Sequence, residues 1–465
     1  MKYLLVLVAA SVLVIATLGA QTAPRRVSAI VTGGAVVTVD GSRNIYSPGA
    51  VAIDGDTIVA AGPAADIAAR FVGADRIDAT GSVVIPGLIN AHTHAPMVMY
   101  RGLADDLRLQ DWLEKYIFPA EAKTVSRELV RVGTRLAALE MIQSGTTAFA
   151  DMYYFEEEIA RATKAAGLRA VLGQTVIQFP VPDAKTPQEG LARAEVFIKE
   201  FVNDALIVPA VAPHAAYSLA ADTLRASRTL ASKYGVPVLI HVAETEEEVK
   251  NSRTTHGGLS PVAYLQSIDF LGPRTLANHG VWVDKADMDI LKSRNVAVSH
   301  NPESNMKLAS GIAPVPEYLA AGVTVALGTD GAASNNDLDM FEAMRFAALL
   351  HKVKTRDPQA VPASAALEMA TINGARALGL ESRIGSIESG KRADLVVVSM
   401  QGARQTPMYD PVSHLVYACR GDDVRTVMVN GRVLMRDRKM LTLDQAQVLA
   451  DARKMAQAVR AAVAK

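Results

Sequence analysis

The rhythm of apolar and polar positions changes several times along the chain. From Leu4 to Leu18 apolar residues follow one another almost without a break, after Lys2 and before Gly19-Ala20-Gln21-Thr22-Ala23-Pro24. A basic start, an apolar run of about 7–15 residues and small residues at its exit predict an export signal over 1–23, cleaved near Gly19 or Ala20. The run falls short of the ~20 residues that a bilayer crossing requires, which argues against a retained anchor. Arg25-Arg26 follow the run, so they form no twin-arginine signal, and no cysteine stands near the exit to carry a lipid. The expectation is a soluble, exported mature chain with no membrane partner.

Next come short β-like runs at 29–31, 35–39, 51–53 and 57–60, broken by Asp40-Gly41 and Asp54-Gly55. The second of these is a hairpin signal between two apolar runs. The same texture returns near the other end, at 393–399, 424–429 and 432–435, the last two joined by Asn430-Gly431. This predicts one small β-sandwich assembled from both chain ends, 24–82 and 385–440. The tail, 441–465, is alanine-rich with apolar residues three and four apart and reads as a closing helix.

Over 83–384 short apolar runs alternate with longer helical patterns. The runs are 83–85, 146–150, 170–172, 207–212, 238–241, 276–278, 297–299 and 324–327; helical patterns at 126–143, 155–166, 191–201, 220–234 and 339–352 lie between them. Eight strand–helix alternations predict an α/β fold, a (β/α)₈ TIM-type barrel, with its chemistry at the C-terminal ends of the strands. The reactive residues fall in those places. His92 and His94 come after the first strand, Asp151 after the second and His214 after the fourth. His241 ends the fifth with Glu244 three residues on, and His279, His300 and Asp330 close the last three.

Composition narrows the chemistry. The 465 residues hold 48 Lys+Arg against 48 Asp+Glu, so the diffuse field on which nucleic-acid binders rely is missing. With 50% hydrophobic residues the chain buries a large core. The single cysteine, Cys419, excludes an intrachain disulfide framework and any cysteine-rich metal module.

His92-Thr93-His94 places two imidazoles on one side of an extended chain. With His241 and Asp330, if the fifth and eighth strands flank the first across the barrel mouth, they make three imidazoles and a carboxylate. That set suits Zn²⁺, or Fe²⁺ or another divalent metal, with a position left for water. The stretch 207–218 contains no lysine to bridge a second ion, so the expectation is one metal. Around this set, His300 reads as a loop cap or a catalytic group and Asp151 as a support for a neighbouring loop. His256 reads as a mobile loop residue, and His351 and His414 as structural.

The chain resembles the amidohydrolase superfamily, in its branch of 5-methylthioadenosine/S-adenosylhomocysteine deaminases and s-triazine hydrolases. The resemblance covers the mature chain. It rests on Pro86-Gly87-Leu88-Ile89-Asn90-Ala91-His92-Thr93-His94, Arg101-Gly102-Leu103-Ala104-Asp105-Asp106, Asp111-Trp112-Leu113 and Pro119-Ala120-Glu121. Farther on it rests on His241-Val242-Ala243-Glu244-Thr245, Ser299-His300-Asn301-Pro302 with Ser304-Asn305, Gly328-Thr329-Asp330-Gly331 with Ser334-Asn335-Asn336, Ala393-Asp394-Leu395 and Val429-Asn430-Gly431. By resemblance His92, His94, His241 and Asp330 are the metal ligands. Glu244 faces the ring nitrogen beside the reacting carbon and His279 stands beside the attacking water. Glu121 binds ribose hydroxyls, His214 touches substrate and Trp112 lines the nucleoside pocket.

The resemblance implies hydrolytic deamination of an aminopurine nucleoside such as 5-methylthioadenosine, adenosine or S-adenosylhomocysteine, with release of ammonia. A triazine chlorohydrolase, a guanine or pterin deaminase, or an exported binding protein without catalysis are the alternatives. Oligomeric state, a homo-oligomer included, stays open. One departure stands out. Family members that use S-adenosylhomocysteine place an arginine soon after strand 3, where this chain has Leu172-Gly173-Gln174-Thr175, and no arginine occurs between Arg169 and Arg193. Arg193, on a predicted helix, is the one candidate replacement.

Overall fold

The computed structural model describes residues 23–464. The export signal expected over 1–23 lies outside the described residues save for its last position. Among the described residues no helix is long and apolar enough to cross a membrane.

Eight parallel strands form one sheet in chain order: Leu88–Thr93, Thr146–Tyr153, Arg169–Val176, Ile207–Pro213, Val238–Val242, Thr275–His279, Ala297–His300 and Val325–Leu327. Just beyond the eighth strand Asp330 N donates to His92 O of the first at 2.9 Å, bringing the two edges together as a (β/α)₈ barrel. Barrel strands are buried on both faces, which erases the alternation of a one-sided sheet. The interior is filled by small side chains from successive strands, among them Ala91, Ala148, Ala150, Ala210, Ala212 and Ala326, and plugged by Leu378, Leu380 and Ile384. Helices cover the outside. Arg127–Gln143 begins where Leu129 N donates to Ser126 Oγ at 3.2 Å, a side-chain cap on an otherwise orphaned N–H.

The first expected barrel strand needs correction. Residues 83–85 belong to Ser82–Pro86, which pairs antiparallel with Leu395–Ser399 in the sandwich, and the barrel begins at Leu88. Residues 83–85 and 88–89 are all fully buried apolar positions, so periodicity cannot assign them to different sheets. The break is Pro86-Gly87. A Cβ at Gly87 would lie 1.9 Å from Thr147 Oγ1, so only glycine lets the chain pass this close to the second barrel strand.

The sandwich has a four-stranded sheet (Thr57–Pro63, Gly49–Asp54, Arg25–Thr32, Phe71–Asp78) and a seven-stranded sheet that takes strands from both chain ends. Val31, Val51 and Ile53 of the first pack on Val84, Leu395, Val397 and Met428 of the second. Two C-terminal motifs join this unit to the barrel. Arg169, fully buried at the start of the third barrel strand, bonds Asp394 through Nε at 3.0 Å and Ala205 O through Nη1 at 2.9 Å, and Asn430 N donates to Asp394 Oδ1 at 2.7 Å. The closing helix runs Gln445–Val463.

Candidate active site

The ends of the first, fourth, fifth, sixth and eighth strands bring His94, His214, His241, His279 and Asp330 to one cavity, and His92, His94, His241 and Asp330 share one focus. The rings of His92 and His94 lie 4.9 Å apart, those of His92 and His241 5.0 Å, and those of His94 and His241 5.4 Å between centroids. Asp330 Oδ1 stands 3.4 Å from His92 Nε2 and 3.3 Å from His94 Nε2. Close approach of the eighth strand to the first makes this possible. A Cβ at Gly328 would fall 2.6 Å from Asn301 Oδ1 and 2.8 Å from His92 N.

Neighbouring hydrogen bonds orient each donor. His94 Nδ1 lies 2.7 Å from Met152 O and His241 Nδ1 2.8 Å from His214 O. A carbonyl only accepts, so both Nδ1 atoms carry the proton and each Nε2 keeps its lone pair. His92 Nε2 is buried with no hydrogen-bond partner at all. Burial pushes His92 down to about 3 and holds His94 and His241 below the ordinary histidine range, so all three rings are neutral near pH 7. Burial opposes ionisation of Asp330, but its contacts with His92 and His94 and the nearby His279, itself raised, outweigh that and hold its carboxyl well below the ordinary range. Its Oδ2 accepts from Ser304 Oγ at 2.6 Å and Ser334 Oγ at 2.8 Å, while Oδ1 accepts from Gly331 N at 2.7 Å and faces the imidazoles.

The donor set passes a fit test for a divalent cation. His92, His94 and Asp330 offer ligand atoms within 4.8 Å of one another, as do His92, His241 and His279. Three neutral imidazoles, one carboxylate and an orphaned buried nitrogen describe a site for a borderline metal.

Glu244 and His279 face the same focus. His279 Nε2 is 3.9 Å from Glu244 Oε2, and its Nδ1 is 2.9 Å from Asn305 Oδ1. Burial raises Glu244 above the usual carboxylate range. Burial would lower His279, but Glu244, Asp330 and the Asn305 amide together raise it. Glu248, pushed up to about 7 by burial, accepts from Ala243 N at 2.9 Å and Glu244 N at 2.8 Å and so fixes the turn that presents Glu244. Ala243, His279 and Asp330 all have left-handed backbones, with φ of +53°, +73° and +63°. Non-glycine residues hold this conformation at a cost of about 1–3 kcal/mol, and it concentrates where a site dictates geometry.

A cavity lies over this cluster. His94, His214, His241, Glu244, His279 and Asp330 line it from the barrel side, with Trp112, Leu113, Phe118 and Glu121 on the cover and Tyr153, Tyr154 and Tyr217 at its flank. His92 sits beneath. Tyr153 OH donates to Glu121 Oε1 at 2.6 Å, and burial pushes Glu121 up to about 7. His214 bonds Ser218 Oγ through Nδ1 at 3.1 Å, and burial lowers it to about 4.

Some expected candidates lie elsewhere. His300 turns away from the cavity and meets His351, Nε2 to Nε2 at 3.2 Å. Asp151 lies within the second strand and accepts from Ala95 N. His256 caps the helix Glu246–Thr255 and stacks on Tyr264 at 3.6 Å, so it is packed rather than loose. Arg193 is committed to Glu157 at 3.0 Å and Asp183 at 3.2 Å and lines no part of the cavity. Ser304, Ser334, Asn305 and Glu248 escaped the sequence reading as supports. Ser304, Asn305 and Ser334 lie inside the motifs 299–305 and 328–336, and Glu248 carries no local signal.

A model of the amidohydrolase family matches residues 83–434, and one of a bacterial imidazolonepropionase-like composite domain matches 49–71. The chain is 48% identical over 435 residues to a 5-methylthioadenosine/S-adenosylhomocysteine deaminase of Syntrophobacter fumaroxidans, covering 94% of this chain and 99% of that one. It is 46% identical over 430 residues to a 5'-deoxyadenosine deaminase of Methanosarcina barkeri, covering 92% and 97%. A solved adenosine deaminase from Xanthomonas campestris with bound zinc has a TM-score of 0.92 at 38% identity, over 94% of this chain and 100% of that one. An atrazine chlorohydrolase from Arthrobacter aurescens shares the fold, with a TM-score of 0.86 at 24% identity over 92% of this chain and 100% of that one. With a family model matched over most of its length and a strand-end cluster built for a metal, this chain belongs to the amidohydrolase family of metal-dependent hydrolases.

Proposed function

We propose that the chain is a hydrolytic deaminase of adenosine-type nucleosides, acting at the ring carbon that bears the amino group and releasing ammonia. The observation that carries this reading is Glu244, a buried carboxyl with a raised pKa, beside His279 in the cavity above the donor set. Hydrolysis of a simple amide has no ring nitrogen that calls for such a proton donor. The deaminase relatives support the same reading.

One divalent ion, zinc by preference, would be held by His92, His94, His241 and Asp330. When bound, such an ion supplies the Lewis acidity that makes water a nucleophile near neutral pH. The residues do the rest. Asp330 Oδ1 takes a proton from the attacking water, Glu244 gives its proton to the ring nitrogen as charge builds there, and His279 orients the water. The proton held by Asp330 then leaves with the amine as ammonia, while the hydroxyl on the attacked carbon gives its proton back to Glu244 as the ring carbonyl forms. Purified protein of defined metal content, assayed for ammonia release from adenosine, 5-methylthioadenosine and 5'-deoxyadenosine, tests the reading; no release from any of them overturns it.

Glu121 would accept hydrogen bonds from the ribose. With its carboxyl at about 7, it is ionised above that pH and protonated below it. The expected result is a KM that rises as pH falls through 7. Glu121→Gln should have a higher KM that no longer depends on pH in this range, and an unchanged pH profile removes this role.

Selectivity at the 5' position follows from the outer chamber. It opens from the cavity past Leu113, Phe118, His214 and Tyr217, has a volume of about 420 Å³, and is walled by Phe179, Leu219, Gln110, Gln178 and Glu114. Phe118 and Phe179 meet edge to face at 5.4 Å. Among the described residues no lysine or arginine lines it, so an amino-acid carboxylate there would face Glu114 without a cation. The expected kcat/KM for 5-methylthioadenosine exceeds that for S-adenosylhomocysteine by at least about tenfold. Equal values, or a preference for the homocysteine adduct, would sink this prediction.

A further inference from the structure

The cavity over the strand ends, about 70 Å³, continues past Leu113, Phe118, His214 and Tyr217 into the outer chamber of about 420 Å³, and together they reach the roughly 300–1,000 Å³ of pockets that hold small-molecule ligands. The wall that stands apart from the barrel is 101–118, which leaves after the first strand and returns into the helix Phe118–Thr124 carrying Glu121. It places Leu109, Trp112, Leu113 and Ile117 over the cavity. It contains a π-helical turn at Leu113–Ile117, an irregularity found often at functional sites. Left-handed residues at Gly102 (φ +70°) and Asp106 (φ +62°) bracket its first turn.

Between those two stands Asp105. Lys307 Nζ donates to Asp105 Oδ1 at 2.6 Å, to Asn336 Oδ1, and to Ala333 O at 3.5 Å, and Asn336 Nδ2 donates to Asp105 Oδ2 at 3.4 Å. All three ammonium protons have acceptors, and the Lys307 side chain is only 19% exposed. An isolated surface ion pair contributes ~0–1 kcal/mol. This one is part of a closed node of three segments. Two of them also hold Asp330: Ser304, in the helix Pro302–Lys307, and Ser334, in the loop before Asn336, both donate to its Oδ2. The next residue, Leu308, lines the cavity.

We propose that Lys307 is a positioning residue for the substrate. By gripping Asp105 it latches the cover 101–118 over the bound nucleoside and ties closure to the loops that hold Asp330. Release of the Lys307–Asp105 pair lets the cover open for entry and exit. The function of the motifs around Asp105, Lys307 and Asn336 is then to shut the site rather than to react in it.

The chain has two tryptophans, Trp112 in the cover and Trp282 elsewhere, so Trp282→Phe leaves Trp112 as the sole reporter. In that background Lys307→Met and Asp105→Asn should each red-shift the Trp112 emission and increase its quenching by acrylamide. Both should raise KM for 5-methylthioadenosine about tenfold with kcat changed little, as for loss of a charged hydrogen bond. The double variant should be no worse than either single one, and Lys307→Arg should restore shielding and KM towards the parent values. Unchanged quenching in both single variants overturns the proposal. So does a loss of activity that follows a fall in Tm while Trp112 stays shielded. The kinetic arm rests on the nucleoside reading, but the quenching arm needs no turnover. It therefore decides the latch even if the chain deaminates no nucleoside.

Discussion

Glu244→Gln lowers kcat for 5-methylthioadenosine by about 10²–10⁴ while bound metal stays at the parent level; this is the expected outcome of removing a general acid. The substitution keeps the side chain's size and its hydrogen-bonding reach but leaves an amide that cannot give up a proton near neutral pH. Glu244 is not placed among the proposed ligands, and its backbone N–H remains held by Glu248 Oε2 at 2.8 Å. The turn that presents it should therefore persist. In the parent, burial keeps the carboxyl protonated to a higher pH than an exposed glutamate, which is what a donor to a ring nitrogen requires. Steady-state kinetics with metal analysis on the same sample separates the outcomes. Activity within tenfold of the parent removes the proton-donor role, and loss of metal together with activity reassigns Glu244 to the donor set.

Asp330→Asn is expected to cost still more, about 10³-fold or greater in kcat, because one side chain serves two purposes. Its Oδ1 stands within 3.4 Å of both His92 and His94 Nε2, and it is the group placed to receive the proton of the attacking water. Asparagine has one neutral oxygen where the carboxylate has two charged ones, and it cannot act as that base. The backbone speaks for a clean test. Residue 330 has φ of +63°, a conformation that asparagine tolerates, and Ser304 and Ser334 can still donate to an amide oxygen. The circular dichroism spectrum and Tm should stay near the parent values, while metal content falls and turnover nearly vanishes. A variant that keeps both metal and turnover would contradict the assignment of Asp330 to either task.

Both substitutions fall on residues that were legible in the sequence. The barrel announced itself through eight short apolar runs separated by helical patterns. The polar residues at the ends of those runs marked the face where side chains converge. The small sandwich was legible from Asp54-Gly55 and Asn430-Gly431, where hairpin chemistry is local. The boundary between the two units was not. Across 83–89 every apolar side chain is buried whichever sheet it joins, and only the close pass of Gly87 over Thr147 divides the run. His300 shows a related limit. Its position at a strand end matched that of His279, yet its ring turns outward to His351, 51 positions away, rather than to the cavity.

Local spacing by itself determined the fold class and which polar residues stand at the strand ends, because periodicity and turn chemistry act over a few neighbouring positions. Tertiary structure alone decided which of those residues meet. It brought Asp105 to Lys307 across 202 positions and gave Arg193 to Glu157 and Asp183 instead of the outer chamber. It also twisted Ala243, His279 and Asp330 into left-handed backbones that aim their neighbours or themselves at one point. The physical reason is that such contacts depend on how packed elements fix loops relative to one another. That geometry belongs to the whole closed barrel and is absent from any short stretch of chain.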